Sequence, residues 1–105
     1  MTTTPLACTP AAIADDVRGA HFALGARLFG ERVRERRALP QGAELRFDAE
    51  DLDAVARWMA NERRCCAFLR FELELLPDDG PIWLRLTGPA GTLELLAAEL
   101  RLADA

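Results

Sequence analysis

Apolar positions along this chain fall into two rhythms, one near 3.6 residues and one of two. Ile13, Val17, Leu24 and Leu28 recur at helical spacing and predict a first helix with one apolar stripe. Thr9 and Pro10 supply an N-cap and a first-turn proline. Asp15 and Asp16 suit the positive end of the helix dipole, and Gly30 is the expected stop. Phe22 and Phe29, seven residues apart, lie nearly opposite the stripe. A helix apolar on two sides is buried on two sides, so either the domain wraps it or a second copy of the chain covers it in a homodimer.

The rhythm then shortens. Residues 33–39 read as a strand charged enough to lie at a sheet edge, with Arg32, Arg34, Arg36 and Arg37 interleaved by Glu31 and Glu35. Pro40-Gln41-Gly42 is turn chemistry, and residues 43–47 alternate with Ala43, Leu45 and Phe47 on one face. Asp48 is placed to cap a second helix whose expected seam is Leu52, Val55, Ala56, Met59 and Cys66. Leu69, Phe71, Leu73 and Leu75 alternate with Arg70, Glu72 and Glu74, the pattern of a half-buried strand. The segment from Pro77 to Pro81 turns the chain into a partner strand, residues 82–87, and Leu93, Leu96 and Leu100 mark a final amphipathic helix.

The order is α-ββα-ββα, and the second half echoes the first. Leu45-Arg46-Phe47 corresponds to Leu84-Arg85-Leu86, and Leu52, Val55 and Met59 correspond to Leu93, Leu96 and Leu100. This pseudo-repeat predicts an α+β two-layer sandwich, a four-stranded antiparallel sheet with helices mainly on one face. Residues 1–8 read as a flexible arm and residues 9–105 as a single domain.

Composition narrows the function classes. The chain has 105 residues, half of them hydrophobic, and a net charge of -4, which argues against a general nucleic-acid binder. No apolar run reaches the roughly 20 residues of a membrane helix, and the first fourteen residues lack the pattern of a secretory signal. Cytoplasmic localisation follows as an expectation, and with it three reduced thiols rather than structural disulfides. Phosphate loops, Ser-His-Asp sets, zincin motifs and paired-carboxylate motifs do not occur.

The chemistry that remains is thiol chemistry. Cys65 and Cys66 are adjacent at the end of the second helix, with Cys66 expected on the core seam and Cys65 on a flank near Trp58. Neighbouring Cα atoms are only about 3.8 Å apart, too close for a relaxed disulfide between them. With Cys8 as a third donor, three thiolates suit a soft ion such as Zn(II), Hg(II), Cu(I) or As(III). His21, the single histidine, is a further candidate ligand, and Glu62 lies on the Cys65 flank, where it can accept a thiol proton. Trp83 points onto the open face of the sheet, a candidate contact for a partner.

The stretch Glu62-Arg63-Arg64-Cys65-Cys66-Ala67-Phe68, with Trp83-Leu84-Arg85-Leu86-Thr87-Gly88-Pro89 further on, resembles a group of small, mostly uncharacterised bacterial proteins. These share an E-R-x-C-C-x-F motif, a W-L-x-L-T-G-P strand end and an early cysteine like Cys8. The residue after the cysteine pair is often Pro in that group and is Ala67 here. The resemblance implies a link to heavy-metal or metalloid resistance. The leading expectation is therefore a small non-enzymatic protein that binds a thiophilic ion through Cys65 and Cys66, with Cys8. A dithiol redox protein and a dimeric interaction module with structural cysteines are the alternatives.

Overall fold

The computed structural model describes residues 7–100. Three helices and four strands follow the expected order: α1 (Asp15–Arg27), β1 (Glu35–Leu39), β2 (Gly42–Phe47), α2 (Leu52–Cys65), β3 (Arg70–Leu75), β4 (Ile82–Thr87) and α3 (Thr92–Glu99). The strands form one antiparallel sheet in the order β1-β2-β4-β3. This is the order a two-fold relation between the two halves produces. Leu45 and Leu84, equivalent in the sequence pattern, stand directly opposite each other at its centre.

Alternation sorts the sheet into two faces. Ala43, Leu45, Phe47, Ile82, Leu84 and Leu86 all point to the buried side, where Val55 and Trp58 of α2 and Leu96 of α3 join them in one core. Helices α2 and α3 therefore pack on the same face, as the pseudo-repeat requires. The opposite face is a charged lattice. Arg85 donates to Glu44 at 2.6 Å and to Glu74 at 2.7 Å, and the Arg37 guanidinium lies 4.5 Å from the centre of the Trp83 ring. Arginine stacking on indole thus covers the aromatic surface expected to be open.

Two tight places are set by residue type. A Cβ on Gly42 would stand 1.9 Å from the Leu86 carbonyl oxygen, so the β2–β4 approach requires glycine there. In the β3–β4 hairpin Asp78 and Asp79 both take left-handed backbone, with φ of 61° and 53°. Two such central residues make the mirror-image turn whose twist matches paired strands, and Asp pays little for that conformation.

The first helix differs from expectation at both ends. Pro10–Ala12 is an isolated 3-10 turn preceded by Thr9, and α1 begins only at Asp15, with Ala14 at its N-cap position and no side-chain cap. Gly30 does not stop the helix, which widens into a π-helical turn over Leu28–Arg32. The wider turn brings both Leu28 and Phe29 into the core, a phase change that a regular 3.6-residue wheel cannot anticipate. Phe29 packs edge-on to Phe47 and Trp58, whereas Phe22 remains 48% exposed. Phe29 is thus buried within its own chain, while Phe22 keeps an exposed face.

The seam of α2 is rotated too. Val55, Trp58, Glu62 and Cys65 are its buried positions, while Ala56 is exposed and Met59 half-buried. Asp48 makes no capping bond and instead accepts from Arg34 at 2.8 Å. The arginine-rich segment before and within β1 lies at the sheet edge and is paired: Arg32 with Glu50 and Asp51, Arg37 with Glu35.

Candidate metal centre

The C-terminal turn of α2 delivers the site. Glu62 and Cys65 lie on its buried stripe one turn apart, and Cys66 follows as the residue that closes the helix, its backbone N–H donating to the Glu62 carbonyl at 2.8 Å. The backbone at Cys66 leaves the helical region there, which frees the second thiol from the helix surface. Cys65 and Cys66 are both buried, so the expected split into one inward and one flanking thiol does not hold.

The segment before α1 completes the cluster. The backbone N–H of Thr9 donates to the Cys65 carbonyl at 2.7 Å, satisfying an orphan acceptor at the helix end and holding Cys8 against α2. Residues 1–6 of the expected arm lie outside the described residues, but Cys8 itself is half-buried and packed on the core. The donor atoms of Cys8, Glu62, Cys65 and Cys66 all lie within 4.8 Å of one another. Four side chains could thus hold one metal ion.

The expectation of three reduced thiols is corrected here. Cys8 and Cys66 form a disulfide with Cα atoms 4.4 Å apart, and Cys65 is the free thiol. Cys66 pairs with a partner 58 residues away and not with its neighbour, in keeping with the short reach between adjacent Cα atoms. A disulfide sulfur carries no proton and is a poor ligand. The structure therefore represents the oxidised form of the cluster, and the thiolate set exists after two-electron reduction.

His21 enters as a supporting group. Its Nε2 lies 2.7 Å from Glu62 Oε1, and Glu62 Oε2 lies 3.1 Å from Cys66 Sγ. The carboxylate thus lies between the imidazole and the sulfur, and it can accept a hydrogen bond from Cys66 once that sulfur is a thiol. The histidine is buried, and among the described residues its Nδ1 has no hydrogen-bond partner. His21 stands outside the four-ligand group. Glu62, read from sequence only as a proton acceptor for a thiol, is inside it and pairs with histidine.

Burial pushes the Glu62 carboxyl above the usual carboxylate range, with His21 pulling the other way. Burial also raises the Cys65 thiol, and the charge of Glu62 adds to that rise. In the oxidised protein Cys65 alone can titrate as a thiol, so thiolate absorbance reports it without overlap. Its midpoint is expected above that of a solvated thiol, and Glu62→Gln is expected to lower it by removing a negative charge from its surroundings. An unchanged or higher midpoint in Glu62→Gln would show that this charge does not act on Cys65.

A cavity of about 510 Å³ opens beside the cluster. Cys65, Glu62 and His21 form one part of its wall, and Phe22, Phe29 and Trp58 another, with Arg36 and Glu99 adding charge. Nothing in the spacing of these residues marked a shared cavity. Arg36 was legible only as part of a charge run, and the π-helical turn that brings in Phe29 has no sequence signal.

Among the described residues no helix is long and apolar enough to cross a membrane. Comparison of the chain with protein-family models, with curated proteins and with solved structures finds no match.

Proposed function

We propose that this protein, in its reduced form, binds a thiophilic metal or metalloid ion through Cys65 and Cys66, with Cys8 as third thiolate and Glu62 as carboxylate partner. The observation that carries the reading is the convergence of four donor side chains within 4.8 Å. Three thiolates and one carboxylate favour a soft or borderline ion such as Zn(II), Hg(II), Cu(I) or As(III) over a hard one. His21 acts from behind, fixing the Glu62 carboxylate by hydrogen bond, as outer partners of ligands do elsewhere. The disulfide form cannot offer the same set, so loading requires the Cys8–Cys66 bond to be reduced, two electrons and two protons yielding two thiols.

Titration of the reduced protein with Hg(II), Zn(II) and arsenite tests this. Cys65→Ser and Cys66→Ser are each expected to weaken binding at least about tenfold, and Cys8→Ser to weaken it less. The third thiol closes on an ion already held, and its contribution is one of effective concentration. Parental affinity for every ion in both Cys65→Ser and Cys66→Ser would make the cysteines structural.

A dithiol redox protein is the second reading, favoured by the disulfide lying beside a free thiol. Turnover of a peroxide or of a disulfide substrate by the metal-free protein, lost in Cys66→Ser, would favour it over metal binding. Self-association through Phe22 is a separate proposal, reduced in surface by the burial of Phe29 within its own chain.

A further inference from the structure

We propose that the cavity beside the cluster receives an organic substituent carried on the soft ion, so that the preferred ligand is a mono-organic trivalent arsenical and not a bare ion. This inference rests on the metal-binding reading above. An ion held by four donors within 4.8 Å needs no further space. The adjoining cavity measures about 510 Å³, within the roughly 300–1,000 Å³ typical of small-molecule sites.

The walls match such a substituent. Of the three cysteines Cys65 is the one that lines the cavity, and Phe22, Phe29 and Trp58 line it with aromatic surface. Position 25 is also in the wall, and a Cβ there would come 3.1 Å from Trp58 Nε1, so glycine keeps the space beside the indole free. Phe22 is 48% exposed although it borders a buried histidine at 5.5 Å between ring centres. A ring seated against it would cover apolar surface that the chain leaves in water.

Valence agrees with the geometry. An organoarsenous acid, R–As(OH)2, reacts with two thiols to give R–As(S-Cys)2 and two waters. Two As–O bonds break, two As–S bonds form, and each thiol proton leaves with a hydroxyl. Arsenic stays trivalent, so the exchange needs no oxidant or reductant once the thiols are reduced. Carbon occupies the third valence, and two thiols suffice. Cys65 supplies one and Cys66 the other, with the substituent directed past Cys65 into the aromatic wall. Arsenite, with no carbon substituent, uses all three thiols.

The test compares phenylarsine oxide, methylarsonous acid and arsenite on the reduced full chain, with dithiothreitol as a reference dithiol. The phenyl compound is expected to bind at least about tenfold tighter than the methyl one, beyond the same ratio for dithiothreitol, since ring burial exceeds the roughly 1.4 kcal/mol that a factor of ten represents. Phe22→Ala, at an exposed position, is expected to cut that preference about threefold or more and to leave arsenite affinity unchanged. Cys8→Ser is expected to weaken arsenite while sparing phenylarsine oxide. With Trp83 replaced by Phe, the phenyl compound is expected to change the emission of Trp58. A phenyl-to-methyl ratio equal to that of dithiothreitol, with arsenite still bound, would overturn the cavity proposal and leave ion binding intact. Failure to bind all three compounds would overturn both.

Discussion

Cys66→Ser is expected to lower the unfolding free energy of the oxidised protein by up to about 4 kcal/mol, the loop-closure value for a bridge spanning 58 residues. Cys8→Ser should lose the same amount, because either substitution opens the same loop. Both variants should match the parent once it is reduced, since the entropic term then vanishes from all three. A domain of this size has a total stability of about 5–15 kcal/mol, so the change removes a large fraction. Urea denaturation with and without dithiothreitol measures it. A parent midpoint that does not move on reduction would show that the bridge constrains nothing in the unfolded chain. The two variants separate in ion binding. Cys66 is seated at the helix end beside Glu62, at 3.1 Å, whereas Cys8 sits on the segment leading into α1. Serine at 66 should therefore abolish tight binding and serine at 8 only weaken it.

Trp58→Ala is expected to cost about 3–5 kcal/mol, the range for deleting a large aromatic side chain from a packed core. Trp58 is 2% exposed and is the hub of the aromatic packing. Its ring centre lies 4.7 Å from Phe29, 6.1 Å from Phe71 and 6.3 Å from His21. Its removal leaves a void between α2, β3 and the π-helical turn. Trp58→Phe keeps part of the edge contacts and should cost less than half as much. Thermal unfolding of the reduced proteins, which sets aside the disulfide, compares the three. A loss below about 1 kcal/mol in Trp58→Ala would mean that the core closes over the vacated space. The same substitution removes a cavity wall, so its effect on arsenical binding is read only where the variant remains folded.

Much of the fold was legible because strand alternation is a local property. Leu69 to Leu75 and Ile82 to Leu86 carry period-two patterns that only one face can satisfy, and turn residues at Pro40-Gln41-Gly42 and Pro77 to Pro81 separate the strands. The repeated spacing of Leu45 and Leu84 even anticipated a symmetric sheet. The helices were less legible. Helix α1 shows a scattered apolar pattern, with Val17 exposed and Leu24 half-buried, so neither its start nor its π-helical end is encoded in a stripe. In α2 the wheel pointed to Met59 and Ala56, and the true seam runs through Trp58 and Glu62. A carboxylate on a buried seam is unfavourable unless paired, and its pair, His21, lies 41 residues away.

The sequence by itself determined which chemistry is available: two adjacent thiols at a helix end, an earlier third thiol, one histidine, and no competing catalytic motif. It also determined the α-ββα-ββα order, because apolar periodicity and turn chemistry act within a few residues. Only the tertiary structure decided that Cys8 meets Cys66, that Glu62 joins the thiols, and that Phe22, Phe29 and Trp58 frame a cavity beside Cys65. Those outcomes depend on how a short segment, a helix end and a widened turn converge on one face of the sheet. Contacts across such sequence distances are set by the packing of the whole core, where the cost of burying Glu62 and His21 is offset only when both arrive together.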